Sequence, residues 1–308
     1  APMSWYPLPE IITAEPFCEV PASYRRSGQR SVWADTNRGG AAIDCFVEGP
    51  SFGRDGNLYF VDIPWGRIFK AGPDGTVDLV AEYDGEPNGL RIHKDGSIYI
   101  ADYKNGIMKL DPATGAVSEH CTRFRLESFK GCNDLAFASD GTLAWTDQGQ
   151  TGHQDPTGRV FRLSPDGKLD CMMSGIPSPN GLVWSLDDKI LYVAVTRANA
   201  VWRLPIMLDG AASKVGTFIQ MSGGMGPDGI SITADGGLVV SHVGLGAIWV
   251  FDRLGQPLYR VNSPLGHSTT NIAFGGPENK DLYITESDTG TILKATLPVA
   301  GAMLYSHQ

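Results

Sequence analysis

Six times along this 308-residue chain an oxygen-bearing residue is followed, seven positions on, by an acid. Glu48 leads to Asp55, Asn88 to Asp95, Asn133 to Asp140, Asn180 to Asp187, Asp228 to Asp235 and Asn271 to Glu278, and successive openers lie 40, 45, 47, 48 and 43 residues apart. A repeat of that period predicts a propeller or a solenoid, whose units bury their apolar faces against one another. The first unit runs Glu48-Gly-Pro-Ser-Phe, a turn at Asp55-Gly56, Leu58-Tyr-Phe-Val-Asp62, Arg67-Ile-Phe-Lys, a turn at Pro73-Asp74-Gly75, and Thr76-Val-Asp-Leu-Val80. Four short β runs punctuated by Asp-Gly turns are hairpin chemistry. The second unit, from Asn88, repeats the plan, and four-stranded units favour a ring over an open solenoid. The sixth unit stops after its third strand, near Leu297. Residues 11–17 are therefore predicted to supply its outer strand, which joins the chain ends and removes a free sheet edge. The predicted fold is all-β: a six-bladed β-propeller of four-stranded blades, closed by an N-terminal strand. It forms one domain, with an extension over 1–47, blades over 48–297 and a tail over 298–308.

Composition narrows the partners. A net charge of −9 argues against nucleic acid, which demands a basic face. No run approaches 18 consecutive apolar residues, so no membrane-spanning helix is expected. Residues 1–10 lack the basic and apolar regions of a secretory leader, although a chain that begins after a cleaved leader would look the same. Cys18, Cys45, Cys121, Cys132 and Cys171 make an odd count with no CxxC spacing. That pattern reads as reduced, mostly buried thiols and a cytoplasmic protein.

Hairpin geometry places the start of each first strand and the end of each second strand at one end of the blade. Two tiers are thus expected around the central mouth. One holds Glu48, Asn88, Asn133, Asn180, Asp228 and Asn271; the other holds Asp62, Asp102, Asp147, His242 and Glu286. Carboxylates and amide oxygens gathered on one axis suit a hard divalent cation such as calcium or magnesium. The ordinary alternative is that each Asn-Gly or Asp-Gly merely shapes a turn.

The units Glu48-Gly-Pro-Ser-Phe, Asn133-Asp-Leu-Ala-Phe, Pro179-Asn180-Gly-Leu-Val-Trp-Ser, Pro227-Asp228-Gly-Ile and Thr270-Asn271-Ile-Ala-Phe-Gly-Gly resemble the SMP-30/gluconolactonase/regucalcin-like family. The resemblance spans roughly 48–297. It implies a six-bladed propeller that hydrolyses lactones with one divalent metal, calcium first, with magnesium, manganese or zinc as alternatives. The implied metal ligands are Glu48, Asn133, Asn180 and Asp228, and Asp228 is also the implied proton carrier. Two departures stand out. Sugar-lactonase members often carry an Arg two residues before the first Asn ligand, where this chain has Gly131. The Gly-rich segment 148–158 is longer than its counterpart after Asp62 and looks like a lid.

Together these readings predict a metal-dependent lactonase: the metal polarises the ester carbonyl, water attacks, and a carboxylate shuttles the proton. Asp228 is the expected catalytic carboxylate, with His242 a second base. Asn88, Asp102, Asp147, Asn271, His267, Trp65 and Tyr103 are the expected substrate contacts. His153 and Arg197 fall at the rim, and nothing marks Cys132 as a nucleophile. Gly-x-Ser-x-Gly is absent, which disfavours a serine hydrolase. The competing readings are a metal-dependent phosphotriester hydrolase or ring-opening isomerase, and a non-catalytic calcium- or ligand-binding propeller. The expected partner is a small-molecule lactone or ester, and a homo-oligomer is compatible with the pattern.

Overall fold

The computed structural model describes residues 8–308, so residues 1–7 of the predicted extension, and most of the 1–10 stretch read for a leader, lie outside it. Six sheets follow one another in chain order, each with its first strand innermost, as a six-bladed propeller. The first blade is Val47–Phe52, Leu58–Asp62, Arg67–Ala71 and Val77–Glu82. Every residue of its second strand is buried, whereas its outer strand alternates toward solvent. That contrast explains the sequence pattern. A strand sandwiched between two neighbouring blades reads as an unbroken apolar run, while a peripheral strand keeps only its inward positions apolar.

In blades one to four the acid seven residues after the opener serves the turn at the far end of the blade. Asp55 Oδ1 accepts from the Asn57 amide at 3.0 Å, Asp95 Oδ1 from Ser97 at 2.9 Å and Asp140 Oδ1 from Thr142 at 2.9 Å. These are Asx turns, which fix the hairpin between the first two strands and hence its register.

Ring closure uses the N-terminal segment, but the predicted strand is split in two. Glu15–Glu19 pairs antiparallel with Thr291–Thr296 and completes blade six. Glu10–Thr13 instead runs parallel to Pro257–Asn262 as a fifth strand of blade five. Between them Ala14 is buried, and its amide donates to Asn262 O at 3.0 Å. The chain crosses from one blade to the next at a residue small enough to enter the core. A short helix, Val32–Asn37, capped by the Ser31 hydroxyl, then lies against blade one, with Trp33 packed on Phe46.

The two N-terminal strands should differ in energetic weight. Phe17 meets Tyr283 edge-to-face with centroids 5.2 Å apart, whereas Ile11 is 64% exposed. Phe17→Ala is expected to cost about 1–3 kcal/mol in urea unfolding and Ile11→Ala under about 0.5 kcal/mol. Equal losses would show that the blade-five strand carries as much weight as the ring-closing strand.

Candidate functional site

The inner strands converge so tightly at the axis that the residue after the opener is Gly in four blades: Gly49, Gly89, Gly181 and Gly229. A Cβ on Gly229 would stand 2.0 Å from Asn271 Oδ1, and one on Gly181 would stand 2.2 Å from the Asp228 carbonyl oxygen. Blade six has Ile272 at this position, and blade three has Asp134. That carboxylate is 1% exposed and reaches the centre of the ring. Asn271, from the opposite blade, donates through Nδ2 to Glu48 Oε2 at 2.8 Å and to Asp134 Oδ2 at 3.1 Å. Glu48 Oε2 also accepts from the Gly49 amide at 2.5 Å. Asp134 was not among the expected site residues. Its signal was nonetheless in the sequence, as the one charged residue at a position otherwise held by Gly or Ile.

Glu48, Asp134 and Asp228 form one electrostatic unit. Burial pushes Glu48 well above the usual carboxylate range, and the charges of Asp228 and Asp134 push it further. Burial raises Asp134 too, against the pull of Arg91. Asp228, half-buried at the open end, is pushed up to about 8 by burial and by Asp134, while a hydrogen bond with Glu48 and the charges of Arg197 and Arg38 oppose the shift. Like charges in a dry site cannot all ionise, so the unit retains protons near neutrality. Beside it, the buried Asn180 Oδ1 has no hydrogen-bond partner among the described residues.

This ring can be set beside known proteins. The model of the SMP-30/Gluconolactonase/LRE-like region matches residues 46–288. The chain belongs to this family. It is 32% identical to a gluconolactonase of Zymomonas mobilis over 273 residues, covering 78% of this chain and 76% of that one. It is 30% identical to the lactonase drp35 of Staphylococcus epidermidis over 230 residues, covering 71% and 70%. In fold it matches the structure of a gluconolactonase from Xanthomonas campestris, with a TM-score of 0.74 and 24% identity over 92% of this chain and 95% of that one.

Family membership does not carry the expected metal chemistry with it. Among the described residues of this SMP-30/gluconolactonase-like propeller, no group of three or more His, Cys, Asp or Glu side chains is placed to hold a metal ion. This overturns the divalent centre expected on Glu48, Asn133, Asn180 and Asp228, whether calcium, magnesium, manganese or zinc. The metal-dependent lactonase falls with it, as do the metal-dependent alternatives. The donor set shows why. Asn133 donates through Nδ2 to Gln148 Oε1 at 2.6 Å. Glu48 and Asp134 accept from the Asn271 side chain and from the amides of Gly49 and Leu135.

The second tier does not face the axis either. Its members pair with the residue before or beside the opener, as in Val47 with Asp62, Pro87 with Asp102, Cys132 with Asp147 and Pro227 with His242. Cross-strand partners share a face, and neighbours along a strand do not. Asp62 therefore binds Arg67 Nε at 2.8 Å and the Phe46 amide at 2.7 Å. Asp102 accepts from Tyr83 Oη at 2.7 Å and from the Glu86 amide at 3.0 Å. Asp147 accepts from Arg159 Nε at 3.0 Å and from the Gly131 amide at 2.9 Å. Glu286 accepts from the Ser268 amide at 3.2 Å. These carboxylates anchor the loops that enter each blade. His242 does likewise: Nε2 bonds Gly223 O at 2.9 Å, and Nδ1 accepts from Trp249 Nε1 at 3.1 Å. Burial lowers its pKa, so the ring stays neutral with both nitrogens engaged, and no lone pair is free for a base.

The remaining expected contacts disperse. Asn88 stays in the buried opener ring. His267 and His153 are exposed, and Trp65 sits at the edge with the Arg26 guanidinium over its ring. Tyr103 packs beside Gly131. Its ring lies 2.8 Å from where a Cβ on Gly131 would be, so it occupies the space that an Arg at that position would need. Its hydroxyl accepts from Gln150 Nε2, which also reaches Asn37 Oδ1 at 3.1 Å. Segment 148–158 is thereby tied across the mouth to the N-terminal helix. Cys132 is fully buried with its thiol pKa pushed well up, which makes it unreactive.

The raised Asp228 pKa sets a pH dependence of stability. The folded protein holds a proton that the unfolded chain releases above 3.8, so the stability this group contributes is full below that value and lost as pH rises through about 8. Asp228→Asn should match wild type near pH 4 and melt at least about 2 °C higher near pH 8. Parallel melting curves at both pH values would show that Asp228 ionises freely in the fold.

Proposed function

We propose that this propeller is a small-molecule-binding protein whose ligand is a lactone or comparable cyclic ester, seated at the axial mouth against Glu48, Asn180 and Asp228. The observation that carries the reading is the pairing of a proton-holding carboxyl unit with the unpartnered Asn180 Oδ1. A protonated carboxyl donates an O–H, which suits the carbonyl or ring oxygen of an ester. The orphaned amide oxygen accepts, which suits a hydroxyl on the same ring. An unpartnered buried acceptor costs about 1–3 kcal/mol, and a ligand that satisfies it recovers that cost. The relatives named as lactonases at 30–32% identity support the same ligand class.

Arg38 and Arg197 frame the opening, with the Arg38 guanidinium held 4.5 Å over the Phe46 ring. Tyr103 and the tethered segment 148–158 form one wall. These groups would orient the ligand from above, while the carboxyl unit and Asn180 read its oxygens from below.

Calorimetric titration with glucono-δ-lactone, and with sorbitol as a polyol lacking the carbonyl, tests the reading. The lactone should bind in about the micromolar to millimolar range, and sorbitol at least about tenfold more weakly. Asn180→Ala and Asp228→Leu should each weaken lactone binding about tenfold, the worth of one buried hydrogen bond. Equal affinity for lactone and sorbitol would sink the proposal. Acid release from the lactone above the buffer rate, measured in the same mixture, would show a catalyst and overturn the purely binding role.

A further inference from the structure

The strands that present the openers at one end of the ring present a second set of residues at the other. Three positions after each opener stand Ser51, Arg91, Ala136, Val183, Ser231 and Phe274, and all six line a cavity of about 740 Å³. Five of these residues are small or apolar; only blade two contributes a charge. Aromatic and apolar groups complete the wall, among them Phe52, Phe137, Trp184 and Leu304. The tail covers this end. The Ala302 amide donates to Ile232 O at 3.0 Å, and the Tyr305 ring packs on His93 and Phe137 with centroids 5.0 and 5.2 Å away.

The charges around this cavity are unevenly satisfied. Its acids have partners: Asp188 accepts from the Ser139 amide at 3.2 Å, and Asp281 accepts from Thr296 Oγ1 at 2.7 Å and faces Lys294 at 3.6 Å. Arg91 has no such partner. Its Nη1 bonds Leu90 O at 2.9 Å, Ser51 Oγ at 3.2 Å and Pro50 O at 3.5 Å, and among the described residues it makes no ion pair. At the rim Arg54 donates to Gln308 O at 2.9 Å. A half-buried guanidinium with free N–H groups, set in an apolar chamber, favours an anion, and its fork matches a carboxylate. The volume falls in the range of roughly 300–1,000 Å³ typical of small-molecule pockets, which combine apolar walls with a few placed polar groups.

We propose that this cavity, at the end of the ring opposite the lactone mouth, is a second ligand site for a small carboxylic acid with an apolar body, held by Arg91. The acid's carboxylate bonds the Arg91 guanidinium, and its apolar part lies among Phe52, Phe137 and Phe274. The chamber lies at the other end of the ring from the lactone mouth, and because the Arg91 charge also pulls on Asp134 of the axial unit, Ser231→Leu is the variant that tests the chamber without changing that charge.

Titration of the full chain with octanoate and phenylacetate near pH 7, with octanamide as the uncharged match, decides the matter. Both acids should bind, and octanamide should bind at least about tenfold more weakly. Arg91→Gln should lower acid affinity at least about tenfold and leave octanamide unchanged. Ser231→Leu, which keeps Arg91 but fills part of the chamber, should weaken both acids and serves if Arg91→Gln does not fold. Absence of acid binding, equal binding to wild type and both variants, or competition between the acids and glucono-δ-lactone would each overturn the proposal.

Discussion

Everything distinctive in this molecule follows from how closely six inner strands approach one axis. At Gly181 and Gly229 the neighbouring strand lies where a Cβ would be. The ring closes only because those positions carry no side chain. Side chains that do project toward the axis meet side chains from other blades, as Asn271 meets both Glu48 and Asp134. Crowding of this kind removes water, and without water the behaviour of each carboxyl depends on its neighbours.

Burial raises the pKa of all three axial carboxyls, and neighbouring charge raises Glu48 and Asp228 further, while Asn271 supplies N–H groups to Glu48 and Asp134. Such a unit is costly to keep in a fold, and a cost retained at one location is what a ligand site requires. The same economy explains the second tier. Asp62, Asp102, Asp147, His242 and Glu286 are just as buried, but each is saturated by its own blade. A buried polar group with all its bonds made secures a loop; one with a bond missing waits for a partner. Asn180 is of the second kind among the described residues, while at the far end of the ring the half-buried Arg91 makes hydrogen bonds but no ion pair.

The propeller itself was legible from spacing. The sevenfold interval marks a strand, an Asx turn and a hairpin, and six repeats of a unit that cannot bury itself alone must stack. The opener ring was legible as well, because all six residues carry oxygen. The split of the closing strand at Ala14 was not, since a seven-residue β run contains nothing that says which of two adjacent edges each half will join. The inward tilt assigned to the second tier failed for a geometric reason. Its members do lie at the mouth end, but strand alternation turns them to the other face of the blade.

Sequence alone determined the architecture and the identity of the residues at the axis, because periodicity and turn chemistry are local and repeat faithfully. Tertiary structure alone decided what those residues do. Whether the oxygens encircle a cation or share protons depends on distances between blades that are far apart in the chain. Asp134 illustrates the difference. As a letter it follows an opener; in the fold it lies across the ring from blade six, where it adds to the effect of burial in raising Glu48 and Asp228.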